Sequence, residues 1–147
     1  MKLGFTGTRD GMTQRQRATV RYLFHELQVT ELHHGDCVGS DAEADKLALE
    51  MHARIVLHPP TDGKYRAYCN AGREGITAYE LRLALPYLER NREIVREGVD
   101  GLIATPKDFT RPTHLRGQGT WTTIGYAEQA GRRTWIVFPD GTFKERT

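Results

Sequence analysis

The chain has 147 residues, 38% hydrophobic and 27% charged, a composition that predicts one folded domain over 1–147 and excludes disorder for most of it. Its 21 basic and 19 acidic side chains give a net charge of +2, which argues against a protein that holds nucleic acid mainly by counterion release. No apolar run reaches the ~18 residues that a membrane helix needs, and the first residues do not resemble a signal peptide.

The first half of the chain alternates short β-rich runs with segments of helical periodicity. The predicted strands are Lys2–Gly7, Glu31–Gly35 and Arg54–His58. A helix follows each of the first two strands, with apolar residues at the i, i+3, i+4, i+7 spacing of one buried face. The capping-box pairs that predict the helix starts are Thr13 with Gln16 and Ser40 with Glu43.

The second half resumes this alternation after an irregular stretch. Thr61–Thr77 has no apolar period and is predicted to be a loop. A helix is predicted over Pro86–Glu97, and the alternating leucines before it leave open whether it already begins near Tyr79. The remaining predicted elements are a strand over Gly101–Thr105, a helix over Trp121–Ala130 closed by Gly131, and a strand over Thr134–Phe138.

Five strands and about four helices in this order predict an α/β fold with a doubly wound, mainly parallel, Rossmann-like sheet. We prefer the strand order 3-2-1-4-5 over the order 2-1-3-4-5. In such sheets a ligand lies outside the carboxyl ends of the strands, so the residues that follow each strand carry the functional prediction.

Three of these strand-to-helix junctions have the chemistry of a phosphate site. Gly7-Thr8-Arg9 follows the first strand, and combines close backbone approach with a hydroxyl donor and a bidentate cation. Gly35–Asp41 and Arg116–Trp121 each open a helix, whose N-terminal amides and dipole favour an anion. Neither the dinucleotide fingerprint nor a P-loop is present, but three such junctions on one edge predict a shared phosphate pocket.

Nearly the whole chain resembles the SLOG superfamily, whose members are Rossmann-like nucleotide-binding proteins. They include DprA/Smf, the Lonely Guy phosphoribohydrolases and the molybdenum-cofactor carrier proteins. The segments that carry the resemblance, in order and spacing, are Gly7–Arg9, His33–Asp45, Tyr87–Val95 and Gly117–Ala127.

The resemblance implies a nucleotide site and, often in such proteins, a homodimer or larger assembly. The residues it implies for the site are Gly7, Thr8, Arg9, Gly35, Gly39, Ser40, Asp41, Arg90, Asn91, Gly119 and Thr120. To these the junctions themselves add Asp36, Arg116 and Trp121 as candidate ligand-binding residues.

One position departs from the Lonely Guy pattern. Those enzymes have a catalytic Glu three residues after the Thr of the G-x-G-T turn, and here that position is Thr123. A Thr hydroxyl cannot act as a carboxylate acid or base near neutral pH. We therefore expect binding of a nucleoside phosphate or a related phosphorylated molecule without turnover. The alternative is an N-glycosidase of nucleoside 5′-monophosphates that uses Asp36 or Asp41, and a weaker alternative is single-stranded DNA binding.

Several side chains keep two interpretations. Asp36 and Asp41 could instead bind ribose hydroxyls or Mg²⁺, or Asp41 could only stabilise the helix N-terminus electrostatically. We expect no required cofactor. Arg90 could reach the ligand or be solvated, and Trp121 could stack on a base or pack in the core. The stretch 65–68, with its Tyr-Arg-Ala-Tyr sequence, could be a lid over the pocket or an ordinary surface loop.

The cysteines and histidines give no metal-binding pattern. Cys37 and Cys69 have neither metal-ligand spacing nor a disulfide framework, so we expect two reduced thiols in a cytoplasmic protein. Adjacent residues of a strand point to opposite faces, so His33 and His34 are not expected to share a metal ion.

Overall fold

Seven strands and four helices make up the part of the chain that the computed structural model describes, residues 1–71, 73 and 79–147. The strands are β1 (Lys2–Gly7), β2 (Glu31–His34), β3 (Arg54–Leu57), β4 (Tyr79–Leu81), β5 (Gly101–Thr105), β6 (Thr134–Val137) and β7 (Phe143–Arg146). The helices are α1 (Gln14–Glu26), α2 (Ser40–Glu50), α3 (Tyr87–Glu97) and α4 (Gly119–Gln129), and Gly63–Tyr65 forms one 3-10 turn.

All seven strands form one sheet in the order β4-β3-β2-β1-β5-β6-β7. Every neighbouring pair is parallel except β6 with β7, which is antiparallel. The five strands predicted from the sequence are β1, β2, β3, β5 and β6, and they lie in the predicted order. The architecture is therefore a mostly parallel, Rossmann-like α/β sheet.

The expected count of five strands was wrong, because both edges of the sheet carry an additional strand. β4 begins at Tyr79, where a helix start had been left open, and pairs with β3. β7 is exposed at all four positions, so it has no apolar alternation to reveal it. The predicted loop Thr61–Thr77 is observed over 61–71 and at 73, while 72 and 74–77 lie outside the described residues.

Helices cover both faces of the sheet, as the alternation of side chains along the strands requires. Leu3, Phe5 and Ile103 point to the face covered by α1 and α2 and are fully buried in one core cluster. Leu102 and Ala104, their neighbours in β5, point to the other face and pack against α3 and α4.

The helix starts confirm one capping prediction and correct the other. Thr13 Oγ1 accepts from the amide of Gln16, whose side chain accepts from the amide of Thr13, so the α1 capping box is present. At α2 the N-cap is Gly39 and has no side-chain cap. Ser40 instead donates its hydroxyl to Thr8 O, and Glu43 accepts from the amide of Met12, because both side chains are used to fix the chain after β1.

α3 lies in direct contact with the central strand through two glycines. A Cβ on Gly98, which ends α3, would come within 2.3 Å of the amide nitrogen of Gly4 in β1. A Cβ on Gly4 would come within 3.0 Å of the Ile94 side chain. The absence of side chains at both positions therefore sets the spacing between α3 and the sheet.

None of the helices in the described residues is both long and apolar enough to cross a membrane.

Candidate functional site

A cavity of about 410 Å³ opens at the carboxyl end of β1, between the first turns of α3 and α4. Ten of the fourteen predicted ligand-binding residues line it: Gly7, Thr8, Arg9, Gly35, Asp41, Arg90, Asn91, Gly119, Thr120 and Trp121. The predicted edge of the sheet is thus where the structure has a cavity of ligand size. The other four predicted residues, Asp36, Gly39, Ser40 and Arg116, do not line it.

The turn after β1 forms one side of the cavity and is held from behind by α2. Thr8 O accepts hydrogen bonds from both the amide and the hydroxyl of Ser40, at 3.1 and 2.7 Å. Gly39 has a φ of +87°, and a Cβ there would come within 2.2 Å of Arg9 O. Ser40 and Gly39 therefore position the β1 turn from outside the cavity, and were wrongly placed in its lining.

The first turn of α4 forms the opposite side of the cavity. Gln118 at the N-cap makes no side-chain cap, and the turn contains no acidic residue. The first amides of a helix have no intrahelical acceptor. Within the described chain, no acceptor is found for those of Gly119, Thr120 and Trp121. These amides are therefore available as donors to an anion.

Two cations at the cavity have no carboxylate partner among the described residues. Arg9 is exposed, and its guanidinium lies 4.0 Å from the centre of the Tyr65 ring. Lys107 follows β5 and is also exposed. Stacking on Tyr65 leaves the edge of the Arg9 guanidinium available for an acceptor.

Arg90 and Asn91 enter the cavity from α3, but most of the guanidinium is already committed. Arg90 is 5% exposed, so the interpretation of a solvated side chain was wrong. Its Nε donates to Asn91 Oδ1, and its Nη1 donates to the main-chain oxygens of Gly35 and His58. An arginine has five N–H donors, which leaves Nη2, near the Cys37 sulfur, for any ligand.

Asp36 is a buried support of the neighbouring loop and not a cavity residue. It is fully buried with a φ of +54°. Its carboxylate accepts from Arg66 Nε and from the Cys69 amide, each at 2.8 Å. The amide of Ala67 donates to Asp36 O. These hydrogen bonds hold the loop over 61–71 against the end of β2. The prediction that Asp36 lines the ligand site was wrong because its side chain points inward, which the sequence does not reveal.

Asp41 lines the cavity and is the acidic residue best placed for chemistry. It is 7% exposed, and its carboxylate accepts from the Cys37 amide. Burial raises the pKa of Asp41, against the opposing effects of His34 and Arg90. A carboxyl group that keeps its proton to a higher pH can donate it to a bound molecule.

The remaining candidates have structural partners. Trp121 is 3% exposed and packs with Ile124 and Ile136, as the core interpretation expected, although the residue also lines the cavity. Its indole N–H has no acceptor in the described part of the chain. Thr123, at the position of the Lonely Guy Glu, is buried and donates to Gly119 O. Burial raises the pKa of the Cys37 thiol to about 11, so the nucleophilic thiolate is disfavoured.

His33 and His34 point to opposite faces of the sheet, as predicted. His34 Nε2 lies 2.8 Å from Asp45 of α2, and its Nδ1 accepts from the Asp36 amide. His33 lies on the α3 face, where His58 is its neighbour. Sequence reasoning did not find His58, because the contact depends on the register that places His33 beside Val56 of β3.

The fold and the cavity together define the class as a Rossmann-like α/β protein with its cavity at the carboxyl edge of the sheet. No protein-family model and no curated protein matches the chain. The chain is similar to the X-ray structure of TM1055, a structural genomics target, with a TM-score of 0.62. The identity is 15%, over 91% of this chain and 72% of that one. At this identity the similarity shows the fold alone.

Proposed function

We propose that the chain binds a nucleoside phosphate, or a related phosphorylated small molecule, in the cavity without turning it over. The observation that carries the proposal is that the free amides of Gly119, Thr120 and Trp121 open into the same cavity as Gly7-Thr8-Arg9. A helix N-terminus carries about half a positive charge, and its amides match phosphate oxygens.

Charge and size support a phosphorylated ligand. Arg9 and Lys107 line the same cavity, and neither forms an ion pair with a carboxylate among the described residues. Binding of the phosphate by amides and these cations requires no metal ion. The volume of about 410 Å³ falls in the range of small-molecule sites, and Tyr87 supplies apolar surface for a base. The resemblance to the SLOG superfamily points to the same ligand class.

Calorimetry with three probes tests the proposal: a nucleoside 5′-monophosphate panel, the matching nucleosides and inorganic phosphate. The decisive variant is Thr120→Glu, which places a carboxylate at the α4 N-terminus. Two like charges ~4 Å apart near a protein surface repel by about 4 kcal/mol, so we expect affinity for the monophosphate to fall at least ~100-fold.

Thr113→Glu is the matched control, because Thr113 is exposed, lies in the loop before α4 and does not line the cavity. It adds the same charge and is expected to change affinity less than ~3-fold through screened long-range repulsion. Equal affinities for the two variants, or no binding of any monophosphate by the unmodified chain, would contradict the proposal.

A second candidate function, N-glycosidase action on nucleoside 5′-monophosphates, is favoured by Asp41. Its buried carboxyl lines the cavity and has a raised pKa, which suits a general acid that protonates a departing base while water adds to the ribose carbon. Asp36 does not reach the cavity. Release of free base that is lost in Asp41→Asn would establish the enzyme, and no release from any nucleotide would leave binding alone.

A further inference from the structure

Two buried histidines face each other on the α3 side of the sheet, away from the nucleotide cavity. His33 in β2 is 2% exposed and His58, directly after β3, is fully buried. His33 Nδ1 lies 2.9 Å from His58 Nε2. A glutamate holds the outer nitrogen of each ring: Glu31 lies 2.8 Å from His33 Nε2, and Glu93 of α3 contacts His58 Nδ1.

The orientation of the two rings makes the centre of this pair a site for a metal ion. Each ring has one nitrogen on the outside, facing a glutamate, and one on the inside, facing the other ring. A neutral imidazole carries one proton, so a ring that donates from its outer nitrogen has a lone pair on its inner nitrogen. His33 Nδ1 and His58 Nε2 can then both coordinate one metal ion.

A third donor and an access route lie beside the pair. One donor atom from each of His33, His58 and Glu97 lies within 4.8 Å of the other two. Arg82 donates twice to Oε1 of Glu97, at 3.0 and 2.8 Å, and Oε2 of Glu97 lies 3.9 Å from His58 Nδ1. His33 and Glu97 also line a second cavity of about 380 Å³, through which an ion can enter.

We propose that His33, His58 and Glu97 bind a divalent first-row transition metal ion, with Zn²⁺ as the best fit. Two imidazole nitrogens and one carboxylate oxygen form the donor set of zinc sites whose fourth position is taken by water. Mg²⁺ prefers oxygen donors alone and does not suit this set. Tetrahedral zinc needs its two nitrogens roughly 3.3 Å apart, so the rings separate by roughly 0.4 Å on binding.

The outer glutamates act as positioning residues. Metal-bound histidines usually donate their other N–H to a carboxylate, which fixes the tautomer and the ring orientation. Glu31 and Glu93 are in place for this role at both rings. The other cluster of histidine, aspartate and cysteine among the described residues, at His34, does not fit. There Nδ1 accepts from the Asp36 amide and leaves Nε2 to donate to Asp45, so neither nitrogen is free.

The test uses the full chain without an affinity tag, stripped of metal by chelator and dialysis. Zn²⁺ is titrated against a chromophoric chelator, and Co²⁺ is added separately to read the visible absorption that tetrahedral coordination produces. We expect one ion per chain, visible Co²⁺ bands, and a rise in melting temperature with Zn²⁺. None of these measurements depends on the proposed nucleotide function.

Two variants distinguish a proposed metal ligand from a residue that only lines the same cavity. Glu97→Gln removes a partly exposed ligand, and is expected to weaken Zn²⁺ affinity at least ~10-fold and to alter the Co²⁺ spectrum. Glu80→Gln is the matched control, since Glu80 lines the same cavity but is outside the donor set. It is expected to leave both readouts unchanged.

Three outcomes would overturn the proposal: no binding of Zn²⁺ or Co²⁺ tighter than ~10 µM, equal affinities in Glu97→Gln and Glu80→Gln, or a Co²⁺ spectrum without tetrahedral bands. The histidine pair would then be a structural contact without a metal ion. His58→Gln adds a further check where circular dichroism shows that it folds, because that variant should lose the ion altogether.

Discussion

Arg90 is predicted to stabilise the fold more than it serves a ligand, and Arg90→Met measures this. The substitution keeps the apolar stem but removes the donors to Gly35 O and His58 O, two main-chain oxygens at 2.7 and 3.1 Å. A buried acceptor left without a donor costs ~1–3 kcal/mol, so the two together predict a loss of ~2–6 kcal/mol in the free energy of unfolding. For a chain of this length that corresponds to a fall of ~6–18 °C in melting temperature.

The assay is urea and thermal unfolding followed by circular dichroism at pH 7, with Arg92→Met as the control. Arg92 lies on the same helix but is exposed, and its main contact is stacking 4.7 Å from the Tyr126 ring centre. Its loss is expected to cost no more than ~1 kcal/mol. If Arg90→Met destabilises no more than Arg92→Met, while nucleotide affinity is lost, the guanidinium is a ligand contact and our assignment is wrong.

Two further predictions concern the acidic residues after β2. Asp36→Asn removes the charge that pairs with Arg66 at 2.8 Å, and is expected to lower the free energy of unfolding by ~3–5 kcal/mol. Proteolysis within 61–71 should become faster, and an unchanged cleavage rate would contradict the role of Asp36 in holding this loop. Burial raises the pKa of Asp41, so wild-type stability should fall as pH rises above the ordinary aspartate value. Asp41→Asn removes the ionisable group and with it this pH dependence. In urea unfolding, the free energy of unfolding of the variant, relative to that of the wild type, should therefore increase from pH 4 to pH 8. A difference that does not change with pH would refute the raised pKa of Asp41.

Strands whose burial gives an apolar pattern were predictable, and the edge strands were not. Tyr79–Leu81 is three residues long, and its alternation was compatible with either a strand or an early helix start. Phe143–Arg146 follows a turn that the sequence did reveal, Pro139-Asp140-Gly141, but its exposed, mostly charged residues do not distinguish a strand from a tail. Pairing with a neighbour, and not burial, makes these segments strands.

The location of the candidate site was predictable because parallel strands end at one edge, but the direction of each side chain was not. Thr120 and Arg9 line the cavity as expected. Asp36 and Ser40 belong to the same junction in sequence, yet point inward to hold neighbouring segments. The contact of His33 with His58 needs both the register of β2 on β3 and the placement of α3, neither of which a single sequence specifies.

The contact between Gly4 and Gly98 sets the position of α3, which contributes to both the cavity and the histidine pair. One end of α3 carries Arg90 to the cavity, and further along the same helix Glu93 supports the histidine pair. A side chain at Gly98 would collide with the backbone of Gly4 and push the end of α3 outward, so both regions would be disturbed together. The distance of α3 from the sheet therefore determines the geometry of both candidate sites.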